Sequence, residues 1–304
     1  LRILFVRLCL HTFEVNRLSL KNYFFLSIFM IQPLVYKFGG ASIKDAKAIQ
    51  RIAQLLKSRW VNNLVIVVSA AGKTTDRLEE LISLSFENKE FSRPLLELME
   101  YHLDLCKGLF EEDHSIYARV ENHFAQLHRA LENTAIKDNQ GFFYDQIIGY
   151  GELISTRIIQ EYLCLIGCSC LWQDARELIS TDSHTKMAKV DWALTMQHCR
   201  KALIPKLETF PVVTQGFIGK DLQGNTTTLG REGSDFTAAI LGVSLGASSV
   251  TIWKDVAGIL NGDPDLFPDA VKFEYLDFEE AAEMTYYGAS VIHPKTIKPL
   301  SKHG

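Results

Sequence analysis

Several features that would settle a class at once are missing from this sequence. The six cysteines (Cys9, Cys106, Cys164, Cys168, Cys170, Cys199) contain no CxxC pair, so no zinc or dithiol signature is present and reduced thiols in a cytosolic protein are the expectation. No apolar run reaches the ~18 residues of a membrane span. The Leu- and aromatic-rich opening is broken by Arg2, Arg7, Glu14, Arg17 and Lys21, and no small-residue cleavage site follows the stretch from Tyr23 to Ile31, which fits a secretory signal poorly. Positive charge is not in excess either, with 32 Lys and Arg against 36 Asp and Glu. A net charge of −4 supplies no basic field for a polyphosphate backbone, so neither nucleic acid nor membrane is expected as a partner. What is left is a cytoplasmic protein that handles small molecules.

The chain also lacks an initiating methionine and a closing segment. It begins with Leu1 and stops at Lys302-His303-Gly304. Residues 1–29 are read as an upstream or non-native leader, Met30 as the true start, and 30–304 as one catalytic domain whose C-terminus is missing. From Leu34 onward, short β-rich runs alternate with helical patterns, the mark of βαβ units and a mainly parallel sheet covered on both faces. The pattern predicts strands at Leu34–Phe38, Leu64–Val68, Ser169–Gln173, Val212–Thr214 and Val250–Trp253. Helices are expected over Asp45–Lys57, about Gly151–Gly167, Asp191–Leu207 and Ser234 to about Gly246, with a Gly224-Asn225 turn leading into Thr226–Thr228. Residues 75–135 carry only helical periodicity and are expected to form a helical insertion.

Four stretches suit ligand chemistry. Lys37-Phe38-Gly39-Gly40-Ala41-Ser42 places a lysine and two glycines at the carboxyl end of a strand, before a helix. Backbone N–H groups can approach phosphate there, although such a turn is more often only a turn. Gly72-Lys73-Thr74 is no P-loop, because the required earlier glycine is Val67. The small residues of Ser69–Thr75 still end a strand, on the ligand-binding edge of the sheet. Gly149-Tyr150-Gly151-Glu152 opens a helix with a carboxylate, which a simple N-terminal charge preference would also explain. In Thr226–Asp235 an arginine, a serine and an aspartate are packed among glycines before an apolar helix. Helix capping accounts for Ser234 or Asp235 alone and leaves Arg231 unexplained.

KFGGAS, the Ser69–Thr75 loop, GYGE, TQGFIG, TTTLGREGSD, DVAGILNGDPD and EAAEMTYYGASVIHP, in that order, resemble the motif series of the aspartate kinases over residues 34 to about 300. The resemblance implies an α/β chain in the amino acid kinase fold, a three-layer αβα sandwich with a mainly parallel central sheet. It also implies transfer of the ATP γ-phosphoryl group to the β-carboxylate of L-aspartate with Mg2+, the first step toward lysine, threonine and methionine. A regulatory ACT-domain pair would follow, in a homo-oligomeric full-length protein. By the same resemblance Lys37 and Asp235 are catalytic, while Ser69, Thr75, Glu152, Arg231 and Ser234 bind the amino acid. Lys37, Gly39, Gly40, Ser42, Trp253, Lys254, Asp255, Gly258, Leu260, Asp265 and Ser290 bind the nucleotide, and no protein ligand to a metal is implied.

A carboxylate is ionised at neutral pH, so its attack on phosphorus needs no general base. Catalysis reduces to neutralising and aligning two anions. An N-acylated substrate would leave Glu152 unpaired, which disfavours an acetylglutamate kinase; glutamate itself differs by one methylene and stays open as an alternative. The chain departs from the family pattern on the nucleotide side. Lys254 stands for a usual threonine, Leu260 for an aromatic, Asp265 for an arginine and Ser290 for a lysine, with Lys254 and Lys295 as candidate replacement cations. Ala41 stands for a hydroxyl and Glu232 for a glycine. These departures keep a second class open, a ligand-binding remnant without turnover.

Overall fold

The computed structural model describes residues 4–9, 32–254, 256, 258–263, 266–286 and 291–303. The elements are β1 (Leu4–Cys9), β2 (Leu34–Phe38), α1 (Ala46–Lys57), β3 (Leu64–Val68), α2 (Thr74–Phe86), α3 (Ser92–Lys107), α4 (Ile116–Glu132), α5 (Gln140–Ile148) and α6 (Tyr150–Leu165). Then come β4 (Leu171–Gln173), α7 (Trp192–Leu207), β5 (Val212–Gln215), β6 (Ile218–Lys220), β7 (Thr226–Thr228), α8 (Gly233–Leu245), β8 (Ser249–Lys254), α9 (Phe278–Tyr286) and α10 (Pro294–His303).

The main sheet runs β1-β8-β2-β3-β5-β4. Its strands from β8 to β4 are parallel, and β1 lies antiparallel on β8. The leader expected over 1–29 is thus described only at Leu4–Cys9, as this edge strand. Strand alternation sends the two sides of each strand into different cores. Tyr36, Phe38, Ile66 and Val68 pack with α1 to α6. Val35, Val65, Val67 and Ile252 pack with α7, α8 and α10. Helices on both faces of a mostly parallel sheet are the architecture expected.

The insertion is helical as anticipated, in α2, α3 and α4, and runs on into α5. Most boundaries move by a residue or two; β4 starts at Leu171 rather than Ser169, and α8 starts at Gly233 rather than Ser234. Ser234 and Asp235 therefore sit inside the helix, and the cap position belongs to Glu232. Helix α8 is mostly apolar and buried along its length, as a helix enclosed by sheet and helices must be. β6 and β7 form a separate antiparallel hairpin beside the main sheet, turned at Gly224 (φ 89).

Candidate active site

Alternation also aims Lys37. As an odd-numbered residue of β2 it shares the side of Val35, facing α8, where Asp235 lies in the first turn. Lys37 Nζ is 2.5 Å from Asp235 Oδ1, and Lys254 Nζ is 2.9 Å from Oδ2. Burial pushes the Asp235 carboxyl up, but the two ammonium groups reverse this and hold it below the usual aspartate range. Lys254, which ends β8, also lies 3.6 Å from Glu232 Oε2.

The turn after β2 and the loop after β3 are fastened together. Ser69 N–H donates to the Phe38 carbonyl at 3.1 Å, and Gly72 N–H to the Gly40 carbonyl at 3.0 Å. A Cβ on Gly40 would lie 2.5 Å from the Ala70 carbonyl, so this glycine answers to protein backbone. Gly39 is different: its Cβ would meet only Lys37 Nζ, at 3.5 Å. Ser42 lies in the same turn, its N–H donating to the Gly39 carbonyl.

The start of α6 packs on that loop, where Ser155 Oγ accepts from Ala71 N–H at 2.9 Å. Glu152 is buried in the first turn. Its Oε1 accepts from Ala70 N–H at 3.3 Å, and its Oε2 has no protein partner. Burial raises the carboxyl to about 8. Opposite, Glu232 adopts a left-handed backbone (φ 54), which brings Arg231 and Ser234 to one rim.

These segments enclose a cavity of about 460 Å³. Lys37, Ser69, Thr75, Glu152, Arg231 and Ser234, all singled out from sequence, line it, and Asp235 reaches it through Lys37. Glu79, Tyr144, Lys186, Met187 and Phe217 line it too and were missed. Glu79 sits one helical turn after Thr75, so periodicity would have found it. Phe217 was inside a recognised motif. Tyr144, whose hydroxyl donates to Glu79 at 3.0 Å, and Lys186, whose ammonium lies 4.8 Å from the Tyr144 ring centre, come from segments with no local signal. Asp145 accepts from Lys186 N–H and from the Thr228 hydroxyl, and burial lifts its carboxyl to about 6.

The nucleotide-side expectations divide. Trp253 is 3% exposed and stacks on Phe38 with ring centres 6.0 Å apart. Its place in the strand puts it on the side away from Lys37, so its side chain belongs to the core. Gly258 and Leu260 lie outside the cavity lining, Leu260 bridging to Lys272; Asp255, Asp265 and Ser290 lie outside the described residues. Lys295 donates to the Leu229 carbonyl at 2.6 Å and covers the Phe236 ring, which makes it a clamp on the loop before Arg231. Lys254 alone of the two candidate cations stands beside Lys37.

The profile described as the amino acid kinase family matches residues 32–304. Among curated relatives, the chain is 37% identical to aspartokinase 2, chloroplastic, of Arabidopsis thaliana, over 87% of this chain and 49% of that protein. It is 33% identical to lysine-sensitive aspartokinase 3 of Escherichia coli, over 89% of this chain and 59% of that protein. Among solved structures, E. coli aspartokinase III in complex with aspartate and ADP superposes with a TM-score of 0.80 at 33% identity, covering 90% of this chain and 60% of that one. The chain thus spans about half the length of the relatives it matches.

Proposed function

This chain belongs to the amino acid kinase family, and we propose that it carries the catalytic domain of an aspartate kinase. It would transfer the γ-phosphoryl group of ATP to the β-carboxylate of L-aspartate, giving 4-phospho-L-aspartate for lysine, threonine and methionine synthesis. One observation carries this reading: a buried glutamate with an unpartnered oxygen shares a cavity with Arg231 and with a lysine locked to a buried aspartate. A free amino acid supplies the complement of each, an ammonium for Glu152 and a carboxylate for Arg231. An N-acylated substrate would leave Glu152 buried and unsatisfied, at a cost of about 1–3 kcal/mol or more.

In this reading Asp235 fixes the Lys37 ammonium, which lies across the transferring phosphoryl group and offsets the charge of two approaching anions. Ser69, Thr75 and Ser234 donate hydroxyl hydrogens to the substrate carboxylates. Among the described residues no cluster of three His, Cys, Asp or Glu side chains could hold a metal, and both Asp235 oxygens face lysines. In this reading Mg2+ would be carried by the phosphate oxygens of the nucleotide and by water. When bound, it would neutralise β- and γ-phosphate charge. The resemblance of this chain to proteins named chloroplastic makes a plastid as admissible a compartment as the cytosol; the free thiols Cys106, Cys164, Cys168, Cys170 and Cys199 suit either.

The test is ATP turnover with L-aspartate, trapping the acyl phosphate as its hydroxamate, with Lys37→Ala as control. Aspartate-dependent hydroxamate that disappears in the variant supports the reading. Product with glutamate alone moves the chain to a sister activity, and no product with either leaves a binding function.

A further inference from the structure

The charges around Asp235 are balanced in pairs: two lysines, Lys37 and Lys254, against two carboxylates, Asp235 and Glu232. The pairs are not equivalent. Asp235 is fully buried, with Lys254 at 2.9 Å, whereas Glu232 is 39% exposed and 3.6 Å away, beyond hydrogen-bond length. By the motif resemblance, Glu232 and Lys254 both stand where an uncharged residue is usual, and here the two are neighbours.

The sheet register says what Lys254 can reach. Phe38 of β2 pairs with Trp253 of β8, and Lys37 with Ile252. Lys254 lies two residues beyond Ile252, so its side chain leaves the sheet on the same side as Lys37, beside Gly39. This is the carboxyl edge of parallel strands, where ligands of open α/β sheets bind. The Gly39 position is open except for the Lys37 ammonium.

We propose that Lys254 is a second phosphate-binding cation of this site, held by Asp235 and by the outer carboxylate of Glu232 until a polyphosphate displaces Glu232. This rests on the nucleotide-binding part of the function proposed above. Asp235 stays in place because leaving would strand a buried charge. Glu232 can swing to solvent at little cost, since exposed pairs are weak. Nucleotide binding exchanges one exposed carboxylate for phosphate oxygens, and Lys254 stays paired with an anion throughout.

The experiment compares ATP and adenosine binding by calorimetry for the wild type, Lys254→Met, Lys254→Arg and Glu232→Gln, with hydroxamate formation measured alongside. Lys254→Met should weaken ATP roughly tenfold, the effect of one hydrogen bond to a charged group, leave adenosine unchanged, and leave the KM for aspartate nearly unmoved. Lys254→Arg should recover most of the loss, and Glu232→Gln should tighten ATP about two- to threefold by freeing the lysine. Unchanged ATP affinity in Lys254→Met overturns the proposal. So does equal weakening of ATP and adenosine, which a merely structural lysine would give, or weaker ATP binding in Glu232→Gln. A wild type that binds ATP without phosphorylating aspartate sinks the functional reading, while the comparison of ATP with adenosine still decides Lys254. A wild type that binds no ATP overturns both.

Discussion

Lys37 and Asp235 meet at 2.5 Å, one from the middle of the sheet and the other from the first turn of the helix laid across it. Lys254 holds the other oxygen of the same carboxylate, so the two lysines depend on one buried anion. Asp235→Ala removes the partner of both and should cost about 3–5 kcal/mol. Lys37→Met leaves Asp235 still paired with Lys254 and should cost less, about 1–3 kcal/mol. Urea unfolding measures both, and equal costs would show that Lys254 does not share the charge.

Acid should act on the same pair. The Asp235 carboxyl is held below its ordinary value in the folded state, so the folded protein binds that proton more weakly than the unfolded chain. The stabilisation is complete above the ordinary aspartate range and is lost as pH falls through the folded value. Asp235→Asn should flatten this acid limb in melting temperature against pH.

Glu152 titrates in the opposite sense. Burial raises its carboxyl from 4.5 to about 8, so the folded state without ligand binds the proton more tightly, and stability declines as pH rises between those values. An ammonium ligand needs the ionised form. The KM for aspartate should therefore fall as pH rises toward about 8 and level off above it, a dependence that Glu152→Gln should abolish while weakening aspartate. A KM that is flat with pH in the wild type would separate Glu152 from the ammonium.

The two glycines of the first turn should answer differently to alanine. Gly40→Ala drives a methyl onto the Ala70 carbonyl 2.5 Å away, and the resulting overpacking should cost about 1–3 kcal/mol. Gly39→Ala meets no backbone, its nearest neighbour being Lys37 Nζ at 3.5 Å. Its melting temperature should hold while the KM for ATP rises, if phosphate approaches there.

Glu232 occupies a left-handed backbone at φ 54, which costs a residue with a Cβ roughly 1–2 kcal/mol. Glu232→Gly should relieve that strain and, after the added freedom of the unfolded chain, stabilise by about 0.5–1 kcal/mol. Thermal unfolding of this variant beside Glu232→Gln separates the backbone effect from loss of the carboxylate.

Much of this was legible in one dimension. The all-apolar run Leu64–Val68 had to be a strand buried on both faces, and the glycines around Glu152 and Arg231 marked segments that approach something closely. The order of motifs singled out six of the side chains that line the cavity. The core placement of the Trp253 ring was not legible, because strand parity, which sends it against Phe38, depends on where β8 ends and which strand it joins.

The sequence by itself determined the α/β class, the helical insertion and the residue types that meet phosphate and carboxylate, because periodicity and glycine placement are local properties of the chain. Only the tertiary structure decided which charges share a partner. That Lys254 stands with Lys37 on Asp235, that Lys295 clamps a carbonyl instead, and that Tyr144 and Lys186 reach the cavity all follow from contacts between distant segments. Such contacts are set by sheet register and helix packing, and they leave no periodic trace along the chain.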